Sequence, residues 1–333
     1  VLAGRLNITT GVFGVEEIPE PHAGPGQVRI AVRAAGVCLS DVHVIQGMLK
    51  PAALREGSVT MGHETAGVID EVGPGVEHLR AGQRVLLLAG ELMGDRIVTR
   101  GVDYDGGWAQ YAVATAGTVV PIPDSLPFEQ ACFVPDAVST PWAAISSTAG
   151  VQPARAAGVW GIGGLGVHAV QLLRLVGAAP VIAVDPLPAA RSRALAFGAD
   201  LALDPRAEDF NARVQEATGG LGLAYAFDFA GAGVVREQAV RVLGVGGLLV
   251  LIGLSDEPLT IPSATIFTYF QQQVRGHYGS RPEHIHELLA LIAAGRLDLS
   301  RSVSDVLPLS EAVEAVHRLD TKKGDPVRLV LTP

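Results

Sequence analysis

The feature that most constrains this chain is Gly161-Ile162-Gly163-Gly164-Leu165-Gly166, set between an apolar run and an amphipathic one. Ala156–Trp160 reads as a buried strand and Leu165–Leu175 as the helix after it. The alternation continues through strand 180–184, helix 189–197, strand 201–203, helix 210–217, strand 224–229, helix 234–243 and strand 248–252. Strands alternating with helices at this spacing predict an α/β fold with a doubly wound parallel sheet. Gly161 permits the tight turn, Gly163 lets the backbone approach a pyrophosphate, and Gly166 allows close packing of helix on strand. Ile162, Gly164 and Leu165 complete a loop that leads into a helix N-terminus, whose free N–H groups and positive dipole end favour phosphate. Asp185 stands nineteen residues past Gly166, at the end of the next strand. Its carboxylate would accept from both adenosine-ribose hydroxyls and repel a 2′-phosphate, so NAD is the expected cofactor rather than NADP. Ile252, closing the strand 248–252, is a further cofactor candidate. A Gly-rich turn alone occurs often without a ligand; the strand, the helix and the acid at the right distance make the pattern specific.

Residues 1–145 have a different texture. Gln27–Arg33 alternates with period two, as a half-exposed strand does. Thr65–Val72 and Arg84–Leu88 are further strand candidates, and Gly73-Pro74-Gly75 and Asp105-Gly106-Gly107 mark turns. Many short strands with Gly/Pro punctuation predict a barrel-like or sandwich-like body. The tail reads helix 284–294, helix 309–319 and strand 327–331, and is expected to return to the first domain. The expected division is 1–145 with 286–333, and 146–285.

Composition narrows the class. The chain has 333 residues, 48% of them hydrophobic, which suffices for two domains with real cores. A net charge of −9 argues against nucleic acid as a partner. The two cysteines, Cys38 and Cys132, suggest no disulfide framework. Neither a signal peptide nor an uninterrupted apolar run of the ~20 residues that span a bilayer is evident. A cytoplasmic protein with no membrane partner is therefore expected. The first residue is Val1, so processing or trimming is expected.

A second constellation carries chemistry. Gly62-His63-Glu64 follows Gly36-Val37-Cys38-Leu39-Ser40-Asp41, with His63 twenty-five residues beyond Cys38. A thiol, an imidazole and a carboxylate are the donor types that a catalytic zinc takes. Singly, Cys38 reads as a small core residue, His63 as a structural histidine and Asp136 as a turn residue after Pro135. A Lewis-acidic metal beside a hydride carrier implies redox chemistry between alcohols and carbonyls.

Together these motifs resemble the zinc-dependent medium-chain dehydrogenase/reductases, the alcohol dehydrogenase superfamily. The resemblance spans the chain and includes Gly106-Gly107-Trp108-Ala109-Gln110-Tyr111 and Val327-Arg328-Leu329-Val330-Leu331. It implies a β-rich GroES-like catalytic domain plus a Rossmann NAD-binding domain, a small-molecule alcohol or carbonyl substrate, and a homodimer or homotetramer. It also implies zinc ligands at Cys38 and His63. The family's usual third ligand is a Cys; here the slot holds Asp136, as in bacterial secondary alcohol dehydrogenases, which slightly favours a secondary or cyclic alcohol. Glu64 matches a displaceable fourth ligand, and Asp41 the carboxylate that orients the zinc-bound His. Ser40 and His43 match a proton relay running through the nicotinamide-side ribose to solvent. Thr140 and Leu165 match nicotinamide contacts, and Arg328 an arginine on the cofactor pyrophosphate. Leu39 stands where relatives often carry a basic, phosphate-binding residue. Cys132 reads as core. Residues 88–104, where many relatives hold a structural zinc, contain neither Cys nor His. One catalytic zinc and no structural zinc are expected. The pocket candidates Trp108, Met48, Leu49 and Ile266–Phe270 serve equally well as core or interface. Competing readings are a reductase of conjugated C=C bonds, whose members commonly lack the zinc ligands and relay, and a catalytically silent NAD-binding protein.

Overall fold

A computed structural model of the chain describes residues 1–94 and 96–333. The first 136 residues form strands β1 (Leu2–Asn7), β2 (Val12–Glu17), β3 (Gln27–Val37), β4 (Ser58–Thr60), β5 (Thr65–Val72), β6 (Arg84–Leu87), β7 (Gly90–Met93), β8 (Arg96–Thr99), β9 (Tyr111–Thr115) and β10 (Val119–Pro121), with helices α1 (Leu39–Ile45) and α2 (Phe128–Ala131). The period-two run lies inside β3, whose Val28, Ile30 and Val32 are buried while Arg29 turns outward to Asp70 and Glu20. A π-helical turn, Val134–Val138, leads into α3 (Ser139–Ala143), and a second, Ala144–Ala149, follows it.

The alternating region then appears in order: β11 (Ala157–Trp160), α4 (Gly166–Leu175), β12 (Val181–Val184), α5 (Pro188–Ala196), β13 (Leu201–Leu203), α6 (Phe210–Ala217), β14 (Leu223–Asp228), α7 (Gly233–Arg241), β15 (Leu243–Leu251), α8 (Ala264–Tyr269) and β16 (Gln273–Gly276). All six strands are parallel, in the order β13-β12-β11-β14-β15-β16. The strand order reverses beside β11, the place where such sheets bind their ligands. The remaining elements are α9 (Pro282–Ala293), β17 (Val303–Pro308), α10 (Ala312–Asp320) and β18 (Arg328–Thr332).

Two compact units result, Val1–Asp136 with Ile285–Pro333, and Ala137–His284. In the first, β18 pairs antiparallel with β3, Leu329 opposite Val37, and extends the sheet β10-β6-β5-β3-β18-β17. Its core gathers Val28, Ile30, Met61, Ile69, Leu87, Trp108 and Leu329. In the second, Trp160, Ile182, Val184, Phe210, Ala226 and Leu249 pack together.

Differences from the sequence expectation have local causes. The helix expected over 234–243 stops at Arg241, and β15 begins at Leu243. Gly244, Gly246 and Gly247 follow at once, and glycine costs about 1 kcal/mol in a helix. Gly246 has φ +69°, and the pairing of β15 with β14 shifts register between Leu243 and Leu248. Ile266–Phe270 falls within and just after a short helix, with Ile266 and Tyr269 exposed. No helix of the described residues is long and apolar enough to cross a membrane.

Candidate metal centre and nucleotide loop

The metal-binding candidates are positioned by glycine and tryptophan packing in the first unit. Gly62 has φ +94°, and a Cβ there would lie 2.2 Å from Trp108 Cδ1. A Cβ on Gly36 would lie 2.0 Å from Glu64 Oε2. Trp108 is wholly buried, and its indole N–H donates to the Gly36 carbonyl at 2.9 Å. Trp108 is therefore core, and it fixes the backbone that presents His63 and Glu64. Cys38 follows directly after β3, at the N-cap of α1.

Asp41 joins these two segments. Its Oδ2 accepts the Cys38 backbone N–H at 2.9 Å, and its Oδ1 lies 3.1 Å from His63 Nδ1. Holding Nδ1–H this way leaves Nε2 as the free donor atom. Asp136 enters from the π-helical turn, a backbone irregularity common at functional sites. Its Oδ2 lies 3.4 Å from both Cys38 Sγ and His63 Nε2. One donor atom each from Cys38, His63, Glu64 and Asp136 falls within 4.8 Å of the others. A tetrahedral zinc with bonds of about 2.0–2.3 Å sets its donors about 3.3–3.8 Å apart; the two 3.4 Å separations at Asp136 fall in that range, and all four residues fit the ion in donor type.

The electrostatics point the same way. Both Glu64 carboxylate oxygens are buried without a hydrogen bond, and the Arg328 guanidinium lies 3.3 Å from one of them. Burial drives the Glu64 carboxyl up to about 8, with Arg328 opposing. Burial would also raise the Asp136 carboxyl, but His63 and then Arg328 hold it well below the carboxylate range. Burial would lower His63; Asp41 and Asp136 outweigh that and hold it well above its ordinary value. Arg328 also donates to the Val37 carbonyl at 3.3 Å, so its buried side chain stands beside the donor cluster. Cys132, though buried, is not in the cluster; its thiol donates to the Glu129 carbonyl.

Ser40 and His43 are three residues apart on α1, on one half-buried face, while Asp41, Val42 and Val44 point into the core. Leu39 and Met48 are exposed. Leu49 lines a cavity of about 330 Å³ with Leu6, Ile8, Val44 and Leu54.

In the second unit the fingerprint glycines divide their work. A Cβ on Gly166 would lie 1.9 Å from the Gly161 carbonyl, whereas one on Gly163 would meet nothing within 4 Å. Gly166 thus serves packing, and Gly163 faces a space that a pyrophosphate can approach. Asp185 follows β12 and accepts Ile162 N–H on Oδ2 and Leu187 N–H on Oδ1, both at 2.9 Å. Each oxygen keeps a lone pair for a ribose hydroxyl. Leu165 is the N-cap of α4, and the Ile252 N–H donates to the Asp228 carbonyl. Thr140, in α3, is buried.

Several supporting residues carried no sequence signal. His277 Nε2–H donates to the Thr140 carbonyl at 3.1 Å, while its Nδ1 meets Thr148 Oγ1 at 2.8 Å. Arg193 reaches from α5 to the Ile162 carbonyl at 2.6 Å. In the lobe expected to lack a structural zinc, β7 and β8 form a hairpin, and Arg100, directly after β8, is fully buried. Its guanidinium donates to Leu88 O, Val113 O and Thr118 Oγ1. Asp95, within that lobe, lies outside the described residues.

Comparison with known proteins agrees with both halves. Residues 24–124 match the alcohol dehydrogenase GroES-like domain, and residues 164–294 the zinc-binding dehydrogenase domain. An alcohol dehydrogenase of Geobacillus stearothermophilus is 32% identical over 321 residues, covering 92% of each chain. The structure of an NAD-dependent alcohol dehydrogenase superimposes with a TM-score of 0.89 at 26% identity, covering 100% of both chains. That of 2R,3R-butanediol dehydrogenase from Bacillus subtilis gives 0.91 at 26% identity, covering 100% of this chain and 99% of the other. The chain belongs to the zinc-dependent medium-chain alcohol dehydrogenases, NAD-dependent oxidoreductases that interconvert alcohols and carbonyl compounds.

Proposed function

We propose that one catalytic zinc is held by Cys38, His63 and Asp136, with Glu64 as a displaceable fourth donor, and that the substrate is a secondary or cyclic alcohol. The observation that carries this reading is the convergence of the four donor atoms within 4.8 Å around a His63 already oriented by Asp41. The butanediol dehydrogenase relative supports the substrate class, since its named substrate carries hydroxyls on carbons 2 and 3. When bound, the metal supplies Lewis acidity toward an alcohol or carbonyl oxygen, and the nicotinamide accepts or returns a hydride.

The chain's own residues do the rest. Asp41 fixes the His63 tautomer. Arg328 compensates the Glu64 carboxylate when it is not a ligand. Ser40 takes the proton released by the alcohol, and His43, one turn along α1, delivers it to solvent. Asp185 selects NAD through the adenosine ribose, and Gly161, Ile162, Gly163, Gly164, Leu165 and Gly166 cradle the pyrophosphate. Thr140 and Ile252 border the nicotinamide half. The exposed Leu92, Met93 and Ile97 of the β7–β8 hairpin support a homodimer or homotetramer.

The test is an absorbance assay at the NADH band over primary, secondary and cyclic alcohols and their carbonyl partners. Faster turnover of secondary alcohols than of primary ones is expected. Ser40→Ala should lower kcat by about a hundredfold or more while NADH binding persists. Turnover confined to conjugated C=C substrates, or a Ser40→Ala enzyme as fast as its parent when chemistry limits the rate, overturns the proposal.

A further inference from the structure

The strands β12 and β13 end side by side, Val184 opposite Leu203, and each is followed by an aspartate, Asp185 and Asp204. Two arginines surround the loop that begins at Asp185. Arg191, from α5, donates to the Asp185 carbonyl at 2.8 Å and lies 3.3 Å from Asp204 Oδ2. Arg206 grips Asp204 with both arms, Nε to Oδ1 at 3.0 Å and a terminal nitrogen to Oδ2 at 3.1 Å, and also donates to the Pro186 carbonyl at 2.8 Å. Guanidiniums beside the ribose-binding acid are the groups that take a 2′-phosphate in this kind of fold. Here one carboxylate occupies both.

We propose that Asp204 is a positioning residue for cofactor choice, which ties up Arg191 and Arg206 in ion pairs, offsets part of their charge, and so denies a 2′-phosphate the two guanidiniums at the ribose end of the loop. The inference rests on the reading of Asp185 as the ribose acid and extends it. Asp185 repels the phosphate directly, whereas Asp204 withholds the cations that would compensate for that repulsion. The chain therefore carries the makings of an NADP site, closed by a built-in counter-ion. Arg206 is 70% exposed at its side chain, so it has room to turn toward a phosphate once released.

The Arg206 N–H also bonds Asp204 Oδ1, at 3.0 Å, so the carboxylate shapes a turn as well as balancing charge. Asp204→Asn and Asp204→Ser remove the charge and keep an acceptor for that turn. The measurement is fluorescence titration of the folded, zinc-loaded protein with NADH and with NADPH, which reads affinity without turnover. In both variants the ratio Kd(NADPH)/Kd(NADH) should fall about tenfold, as one unit charge a few Å from a phosphate produces near a protein surface. The change should shrink in high salt. Adding Arg191→Ala and Arg206→Ala to Asp204→Asn should abolish it, which a purely structural role of Asp204 would not predict.

A ratio within twofold of the parent in both Asp204 variants, alongside a large fall in Asp185→Ser, overturns the role of Asp204 and leaves the NAD reading intact. A ratio unmoved by Asp185→Ser as well overturns both. A gain that survives removal of the two arginines overturns the mechanism.

Discussion

Asp136 is the residue on which the donor set turns, because its Oδ2 is the atom 3.4 Å from both Cys38 Sγ and His63 Nε2. Asp136→Ala should lower zinc occupancy and kcat together, and Asp136→Cys should restore the metal. Elemental analysis beside kcat settles it: full occupancy with only a lower Tm would make Asp136 a turn residue. His277 gives a prediction in pH. Burial lowers its pKa below 6.5, with His284 adding to the effect and Arg275 donating to the Thr148 carbonyl nearby. Between its lowered folded pKa and the ordinary value of 6.5, the unfolded chain therefore holds more proton at this position than the folded one. The contribution of neutral His277 is complete above that value and lost as pH falls through its lowered folded pKa. Urea midpoints between pH 7 and pH 5 should fall less steeply in His277→Asn than in the parent; parallel curves would count against it. Cys38, His63 and the Asp185 position were legible in the sequence because a local motif announces each. His277 was not, since its partners Thr140 and Thr148 lie 137 and 129 residues away.

Among elements, the loop from β11 into α4 separates packing from binding. Gly166→Ala forces a Cβ against the Gly161 carbonyl and should lower Tm along with NADH affinity. Gly163→Ala has open space and should weaken NADH binding at least about tenfold with little change in Tm. Thermal melts and NADH titrations on the same two proteins distinguish the roles. The lobe beyond β6 answers a different question, how this segment is secured where many relatives use zinc. Arg100 ties Leu88, Val113 and Thr118 with three hydrogen bonds, and burial lowers its pKa. Arg100→Met strands those buried acceptors and should cost at least about 2 kcal/mol in urea unfolding. The period of the nucleotide region was readable because each helix and strand there is separately patterned. The hairpin was not, because Gly90–Thr99 has no periodicity of its own. The edge strand β16 escaped notice too, since only Val274 of its four residues is an aliphatic hydrophobe.

For the whole molecule, the parallel sheet, the β-rich first unit and the return of the tail as β18 were all foreseeable from the order of patterned segments. The antiparallel seating of β18 on β3 was not, because a strand carries no mark of its partner across nearly three hundred residues of chain. The described residues hold one cluster fit for a metal, so elemental analysis should return one zinc per chain; two would contradict the reading. Stripping that zinc should abolish turnover yet leave far-UV circular dichroism intact, since Arg328 and a protonated His63 compensate the buried carboxylates. Zinc should then raise Tm on readdition, as binding to the native state alone requires. The donor set also contains a single sulfur, and both cysteines are free. A ligand set with two or three thiolates can close into a disulfide under oxidative stress and expel its metal. With Asp136 as the proposed third ligand that route would be absent within the set, and the first oxidation product expected at Cys38 is a sulfenic acid that thiols can reverse. On the proposed ligand set, a carboxylate in place of one soft ligand would change how the enzyme fails in an oxidising cell as well as how it holds its ion.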